Sequence, residues 1–321
     1  MSGENCYVFP FDEKTLKKAK KELNENPADR AEKIDCLRQW VKSHPYLTAR
    51  TDDAFLLRFL RVAKFSLLVA QQRIENFCVV RSSEIDGEIP WFNPCRVDDE
   101  MIKEFRQGFM ALLPGADDEG RLVMLTKFGN VDGANIDIDR MSRCMFLVLD
   151  SCMMDERGQI NGVVFIEDVE GVTLKLINHF TPDMMQRGIR CWQDTYPWRL
   201  KEFHYMNMGN VFNTFLEMFK MMLKEKYRKR VKIHWNKSSF AKYVPKRMLP
   251  SDYGGDAPSY QQIVENNLQN LLANQAEIES LEVCRVDDAK RPRETPKGDS
   301  WGMVAGSDQQ VAGSYRKINT D

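Results

Sequence analysis

The spacing of apolar residues in the first quarter of the chain is typical of helices. Helices are predicted at residues 11–24, from Asp29 to Val41, from Thr51 onward and from Ser66 to about Ser82. In the third of these helices the apolar side chains share one face, and Arg58 and Arg61 are expected to point away from it. Because residues 11–89 show no strand pattern, they are predicted to form an all-helical module that follows a short tail at residues 1–10.

Short runs rich in β-branched and aromatic residues alternate with helical patterns after Pro90. The predicted strands are residues 121–128, 162–169, 202–209 and 231–235, and the predicted helices lie near 98–109, 139–155, 182–193 and 211–224. This order predicts βαβ units, and therefore an α/β domain with a largely parallel sheet, over residues 90–258. A C-terminal helix is expected at 259–283 and a disordered tail at 284–321.

The predicted helix at 211–224 is apolar around most of its circumference. Its polar residues recur at steps of four, three and four, which places them in one narrow stripe: Asn213, Glu217, Lys220 and Lys224. The helix is therefore suited to contact apolar material on two sides. A basic run, opposed by Glu225, begins at the last of these residues and consists of Lys224, Lys226, Arg228, Lys229, Arg230 and Lys232. Near an anionic membrane such a run gains roughly 1 kcal/mol per basic residue.

The composition fits one large domain with an accessory module. The chain has 321 residues, 43% of them hydrophobic, and a formal net charge of -1. This small net charge does not predict nucleic-acid binding. Eight cysteines without a CxxC pair favour reduced, buried thiols over disulfides or a zinc site. Because neither a secretory signal nor an apolar run of about 18 residues is found, a cytosolic monomer with peripheral membrane contact is expected.

The sequence lacks the motifs of several enzyme classes, including GxSxG, GxxxxGK[ST], GxGxxG and HExxH. His204 and His234 lie on apolar predicted strands, and we interpret them as structural. Asp168 and Glu170 flank a strand end beside Gly171, where a carboxylate that accepts backbone hydrogen bonds is favoured over one that performs acid–base catalysis. No catalytic residue, metal ligand or cofactor is therefore predicted.

Four segments of the chain resemble one known family, and they occur in that family's order. They are DDAFLLRFLRVAKFSLLVA at 52–70, FIEDVEGV at 165–172, DTYPWRLKEFHYMNMG at 194–209 and KYVPKRMLPSDYGG at 242–255. The family is the CRAL-TRIO, or Sec14-like, lipid-binding family, and the chain is most similar to its tocopherol transfer and cellular retinaldehyde-binding group. This resemblance implies a mostly parallel sheet that floors an apolar pocket, with the helix at 211–224 as a lid.

The resemblance also implies two sets of binding residues. A phosphoinositide headgroup is expected to contact basic residues at the end of the predicted helix that contains FLR (59–61), in the PWRLK turn and after the lid, namely Arg61, Arg199, Lys201, Lys226, Arg228 and Arg230. The pocket wall is expected to contain Phe128, Met145, Leu149, Phe165, Phe180, Met184, Ile189, Trp192, Phe212, Phe215 and Phe219. Met145 and Leu149 stand where tocopherol binders are expected to carry small hydroxyl residues, and this departure favours a drier or bulkier cargo.

Together these features predict a non-enzymatic protein that binds a small hydrophobic lipid, such as a retinoid, tocopherol, carotenoid or similar isoprenoid, and transfers it between membranes. The basic residues are expected to dock it on endosomal or other phosphoinositide-bearing membranes and to promote cargo exchange. The alternative is a scaffold that senses a phosphoinositide, recruits a partner and carries no cargo. A lipid that co-purifies with the protein would favour the carrier over the scaffold.

Overall fold

The computed structural model describes residues 7–82, 90–235 and 243–292. The predicted module boundary near residue 89 and most of the predicted tail lie outside the described residues. Within them, no helix combines the length and apolar character that crossing a bilayer requires. The seven cysteines in these ranges are free thiols, and all except Cys36 are buried.

Four helices form the N-terminal module, as the hydrophobic pattern predicts. They are α1 (Glu13–Leu23), α2 (Arg30–Ser43), α3 (Asp53–Val62) and α4 (Leu67–Arg81). Two of them begin with a capping aspartate: the Asp12 side chain accepts a hydrogen bond from the Thr15 amide, and Asp52 accepts one from the Phe55 amide. These bonds satisfy backbone donors that have no partner inside the helix.

Helix α3 is buried on nearly all sides, and the expectation that Arg58 and Arg61 point away from the core is wrong. The exposed fraction is 3% for Arg58 and 0% for Arg61. Arg61 is compensated by the buried carboxylate of Glu25, at 2.9 Å between Nε and Oε2. Helical spacing identifies the apolar face of α3, but it contains no information about the segments that pack against the opposite face.

Five strands form the central sheet of the second domain. They are β2 (Met110–Leu112), β3 (Leu122–Lys127), β4 (Val163–Asp168), β5 (Leu200–Met206) and β6 (Val231–His234). The two-residue strand β1 (Leu47–Thr48) precedes them in the chain and lies outside this sheet. Their spatial order is β2-β3-β4-β5-β6, with β2 antiparallel to β3 and every other neighbouring pair parallel. The largely parallel α/β fold is therefore confirmed. The sequence did not predict β2, because three residues are too few for a period-two pattern.

Helices connect these strands and cover the sheet. They are α5 (Asp99–Arg106), α6 (Ile138–Met154), α7 (Glu156–Asn161), α8 (Leu174–Ile177), α9 (Pro182–Arg190), α10 (Asn210–Met222) and α11 (Glu225–Arg228). A π-helical turn at Cys191–Thr195 continues α9. The predicted helix at 211–224 ends at Met222, because Leu223 has an extended backbone (φ -75°, ψ 139°) that separates α10 from the basic turn α11.

Side chains on the central strands alternate between two apolar cores. On β4, Val164 and Ile166 belong to one core, which is covered by α12 (Tyr260–Ala273). Phe165 belongs to the other core, together with Phe203 of β5 and apolar residues of α6, α9 and α10. The sheet is therefore enclosed between two layers, and α10 lies in the layer that faces Phe165.

Gly162 permits the close approach of β4 and β5 at their first residues. Its φ is +97°, and a Cβ atom here would lie 2.6 Å from the Arg199 carbonyl oxygen and 2.5 Å from Cγ of Lys201. Both the backbone conformation and the space favour glycine. Gly162 thus fixes the position of two of the basic residues predicted to bind a headgroup.

The C-terminal segment differs from its prediction in two ways. The predicted helix at 259–283 is interrupted at Asn274, whose side chain donates to the Asn270 carbonyl group (2.7 Å) and so competes with continued helix formation. A separate helix, α13 (Gln275–Glu279), follows. Residues 285 and 286, predicted to belong to a disordered tail, instead form β7 (Arg285–Val286), which pairs with β1. Two-residue strands leave no pattern that the sequence could reveal.

Candidate functional site

A cavity of about 190 Å³ lies between the Phe165 face of the sheet and helices α6, α9 and α10. Its wall is almost entirely aromatic and aliphatic. The structure places all eleven residues of the predicted pocket wall around it: Phe128, Met145, Leu149, Phe165, Phe180, Met184, Ile189, Trp192, Phe212, Phe215 and Phe219. The residues predicted to form the pocket wall therefore do share one cavity. Their contact with a ligand stays a prediction.

Helix α10 closes one side of this cavity with aromatic side chains. Phe212, Phe215 and Phe219 line it, and the ring centroids of Phe212 and Phe215 lie 5.3 Å apart. Phe215 also contacts Phe180, at 5.7 Å between centroids. On the outer side of the same helix, Met221 is 75% exposed. The helix thus presents apolar side chains both to the cavity and to the surroundings.

Polar contacts attach α10 at both of its ends. Before the helix, Asn207 adopts a left-handed backbone (φ 58°) and donates from Nδ2 to Oδ1 of Asp168 (2.7 Å). After the helix, the Lys224 amide donates to Oε1 of Gln193 (3.2 Å), and the Lys224 ammonium group pairs with Asp194. The helix is therefore anchored to the sheet at one end and to the π-helical turn at the other.

Two polar side chains interrupt the apolar wall of the cavity. Thr126 of β3 and Glu167 of β4 are neighbours in the parallel register, and both line the cavity. Within the described part of the chain, the buried Thr126 hydroxyl has no hydrogen-bond partner. Burial raises the pKa of Glu167 to about 7. The Thr126 hydroxyl offsets only part of this rise, since it makes no hydrogen bond of normal geometry to the carboxyl group.

Sequence reasoning, which favoured a drier or bulkier cargo, missed this polar pair in the wall. The strand period contained the signal, because Glu167 lies two residues after Phe165 and so faces the same side of β4. Ser142 and Tyr205 add further hydroxyl groups to the wall. The cavity is therefore apolar with one polar side, rather than uniformly apolar.

Three of the predicted headgroup residues lie together at the edge of the sheet where the parallel strands begin. Arg199 and Lys201 border the first residue of β5, and both donate to Oε2 of Glu22 in α1, at 2.8 and 3.1 Å. Arg230 precedes β6, and its guanidinium group donates to the Leu200 carbonyl oxygen. The structure thus gathers these basic side chains on one surface, with a carboxylate among them.

Arg61 is fully enclosed and is not exposed on this surface. Its guanidinium group donates to Glu25 (2.9 and 3.0 Å), Glu156 (2.6 Å), Gln159 (2.8 Å) and the Tyr7 hydroxyl (2.9 Å). Burial alone would lower the pKa of Arg61, but these partners outweigh it and raise the pKa above its ordinary value. In this conformation the side chain holds the residue 7 segment, α3 and α7 together. We therefore leave Arg61 out of the headgroup site proposed below.

The remaining two predicted headgroup residues, Lys226 and Arg228, lie exposed on α11. Between them, the buried ring of Tyr227 contacts Trp192 of the cavity wall, at 5.8 Å between centroids. On the other side, the Arg230 guanidinium carbon lies 5.6 Å from the Tyr227 ring centroid. One aromatic side chain thus connects the basic turn with the cavity.

Both the second domain and the helical module match known domain families. Residues 106–255 match the CRAL/TRIO domain, and this range contains the five-stranded sheet, α10, α11 and every residue of the cavity wall except Trp91. Residues 26–89 match a Pinta-like UBA domain, which corresponds to most of the helical module.

Several proteins are similar over most of their length. Proteins named alpha-tocopherol transfer protein-like from Mus musculus and Homo sapiens are each 33% identical over 255 residues, which cover 78% of this chain and 72% of theirs. Clavesin-2 from Rattus norvegicus is 30% identical over 295 residues, 89% of each chain. The crystal structure of Sfh5 aligns with 84% of this chain and 100% of its own, at 15% identity and a TM-score of 0.44. The identity and coverage of the alpha-tocopherol transfer protein-like and clavesin-2 relatives show that the chain belongs to the CRAL-TRIO, or Sec14-like, family of lipid-binding proteins.

Proposed function

We propose that this protein binds one small hydrophobic lipid in the cavity beneath α10 and transfers it between membranes. The observation that supports this best is the row of Phe212, Phe215 and Phe219 over an apolar cavity. Each buried CH₂ group is worth about 0.8 kcal/mol, so a lipid of about twenty carbons leaves a membrane only for an equally dry site. A helix that covers such a site shields the cargo from water.

The cavity must enlarge when it accepts such a lipid. Its volume of about 190 Å³ lies below the roughly 300–1,000 Å³ that is typical of ligand pockets. Methionines in the wall, such as Met145, Met184 and Met185, can rearrange at low cost because their side chains are unbranched. Outward movement of α10 about its two polar attachments supplies the remaining space and an entry path.

We infer that the cargo carries one polar group. A hydroxyl or carbonyl group near Thr126 and Glu167 would provide the hydrogen bonds that a buried polar pair requires. With a pKa of about 7, the Glu167 carboxyl group is partly protonated at neutral pH, and it is able either to donate or to accept. This favours an isoprenoid with an alcohol or aldehyde end, such as a retinoid, over a plain hydrocarbon.

We also propose that the α10 side of the molecule docks on phosphoinositide-bearing membranes. The exposed Met221 ends the lid, and the exposed cations Lys226, Arg228 and Lys229 follow it. An apolar side chain next to cations suits the boundary between acyl chains and anionic headgroups. Tyr227 transmits membrane contact at these cations to the cavity wall, and docking is thereby coupled to cargo exchange.

Binding is favoured over catalysis because the groups that suggested chemistry have structural partners. Asp168 accepts hydrogen bonds from the Glu170 amide (3.1 Å) and the Tyr253 hydroxyl (2.6 Å), as expected for a turn. His204 is 0% exposed and stacks on His234, at 5.0 Å between ring centroids. Burial lowers the pKa of His204 to about 4, so its ring is neutral at pH 7.

Replacing Phe215 with aspartate tests the lid. An unpaired carboxylate against the cargo costs several kcal/mol, and the affinity for a fluorescent retinoid should fall at least about tenfold. Met221→Asp is the matched control, since it introduces the same charge on the exposed side of the same helix. Its retinoid affinity should stay close to that of the wild type. Equal affinities for both variants, with both proteins folded by circular dichroism, would contradict the placement of the lid.

Glu167 predicts a stability that depends on pH. The unfolded chain releases this proton near pH 4.5 and the folded protein near pH 7. The stabilisation by this group is therefore complete below pH 4.5 and declines by about 3 kcal/mol as the pH rises to 7. Glu167→Gln should gain stability relative to the wild type over that interval, as measured by urea unfolding. A difference that stays constant from pH 4.5 to 7.5 would show that Glu167 is ionised in the folded protein.

Removal of two exposed cations tests membrane docking. Arg228→Gln with Lys229→Gln should weaken sedimentation with phosphoinositide vesicles by about 2 kcal/mol, or roughly 25-fold, and added salt should reduce the difference. The control is Lys103→Gln with Lys290→Gln, which removes the same charge from exposed positions on α5 and near β7. Equal losses for both double variants would reduce the proposed docking to an effect of net charge.

A further inference from the structure

A carboxylate pairs with two of the basic residues that the family resemblance implies for a headgroup phosphate. Glu22 accepts hydrogen bonds from Nη2 of Arg199 and Nζ of Lys201 on a single oxygen, Oε2. The side chains of Arg199 and Lys201 are only 14% and 26% exposed, whereas that of Glu22 is 33% exposed. An anion that approaches the two cations therefore meets this carboxylate.

The chemistry of the contact matches that of a bound phosphate. Arginine and lysine donate charge-assisted hydrogen bonds equally well to carboxylate and phosphate oxygens. Partial burial would raise the pKa of Glu22, but the hydrogen bonds from Arg199 and Lys201 outweigh it and lower the pKa to about 2. Glu22 is thus ionised throughout the physiological range, and it competes as an anion at every pH at which a membrane could dock.

Glu22 lies in the last turn of α1, where the helix dipole disfavours a negative charge. The rest of α1 is strongly basic, with Lys14, Lys17, Lys18, Lys20 and Lys21. Burial, and then the nearby charges of Arg199 and Lys18, lower the pKa of Lys201. The pairs with Arg199 and Lys201 help to offset the unfavourable dipole at the position of Glu22.

We propose that Glu22 is an internal competitor for the headgroup phosphate at Arg199 and Lys201, so that α1 acts as an electrostatic latch on the docking surface. This inference rests on the phosphoinositide docking proposed above. In the latched state Glu22 accepts a hydrogen bond from each of the two cations and offsets one of their two positive charges. A phosphate of a membrane phosphoinositide displaces the carboxylate, takes over both hydrogen bonds, and leaves the lysines of α1 facing the same anionic surface.

Two single substitutions in the full chain separate the latch from a general change in charge. Glu22→Gln removes the competing charge, and Glu13→Gln removes the same charge from an exposed residue of the same helix that pairs with Lys17 of α1, at 2.8 Å. Binding is measured on vesicles that contain phosphatidylinositol bisphosphate and on phosphatidylserine vesicles of equal charge. Glu22→Gln should bind the phosphoinositide vesicles about fivefold more tightly than the wild type, and Glu13→Gln less than about twofold.

A variant that lacks both cations tests whether Glu22 acts through Arg199 and Lys201. When Arg199 and Lys201 are both replaced by glutamine, Glu22 has no cation to occupy, and Glu22→Gln should then leave vesicle binding unchanged. Persistence of the gain in this background, or equal gains for Glu22→Gln and Glu13→Gln, would overturn the latch. Because Glu22 is partly exposed, we expect the variant to fold, and Glu22→Ala serves as a second test of the same prediction.

The outcomes also separate the latch from the docking proposal. If the wild type prefers phosphoinositide vesicles and Glu22→Gln adds nothing, docking stands and the latch is wrong. If only Glu22→Gln prefers them, the wild type is held latched, which supports the inference. If neither protein prefers phosphoinositide over phosphatidylserine at equal charge, both proposals are overturned.

Discussion

Successive side chains on a strand point to opposite faces of the sheet, and in this protein both faces of the central strands are apolar. Each face therefore requires an apolar cover. Helix α12 packs on one face through Ile263 and Val264 and completes an ordinary core. The other face encloses a cavity with α6, α9 and α10, although rings of α10 also contact the strands, as between Phe212 and Tyr205 (5.7 Å between centroids). The same constraint thus produces a core on one side and, on the other, a cavity in which we propose that the cargo binds.

Polar contacts hold both ends of α10. Lys224 joins the end of the helix to the π-helical turn, and Asn207 joins its beginning to the sheet. Beyond α10, α11 carries exposed cations, and Tyr227 lies between them and the cavity wall. The surface that we propose to dock on membranes and the cavity that we propose to hold the cargo are therefore neighbours in one continuous stretch of chain.

Periodicity predicted those features that depend on a single element. The lid phenylalanines could be placed because residues three and four apart share a face of a helix, and the four parallel strands because they are long enough to show a pattern. Glu167 follows from the same rule, applied two residues after Phe165. The environment of Arg61 could not be predicted, since Glu25 and Glu156 reach it from other parts of the chain. Short strands such as β2 and β7 are set by their partners rather than by their own sequence.

Native mass spectrometry tests the central claim, that the cavity beneath α10 holds a lipid, most directly. The purified protein would be incubated with vesicles of mixed lipid composition, separated from them and measured under conditions that preserve non-covalent complexes. We expect one added mass per chain, from a lipid of about twenty or more carbons that carries a hydroxyl or carbonyl group. A protein that shows only its own mass, while it still sediments with phosphoinositide vesicles, would contradict lipid transfer and support a scaffold instead.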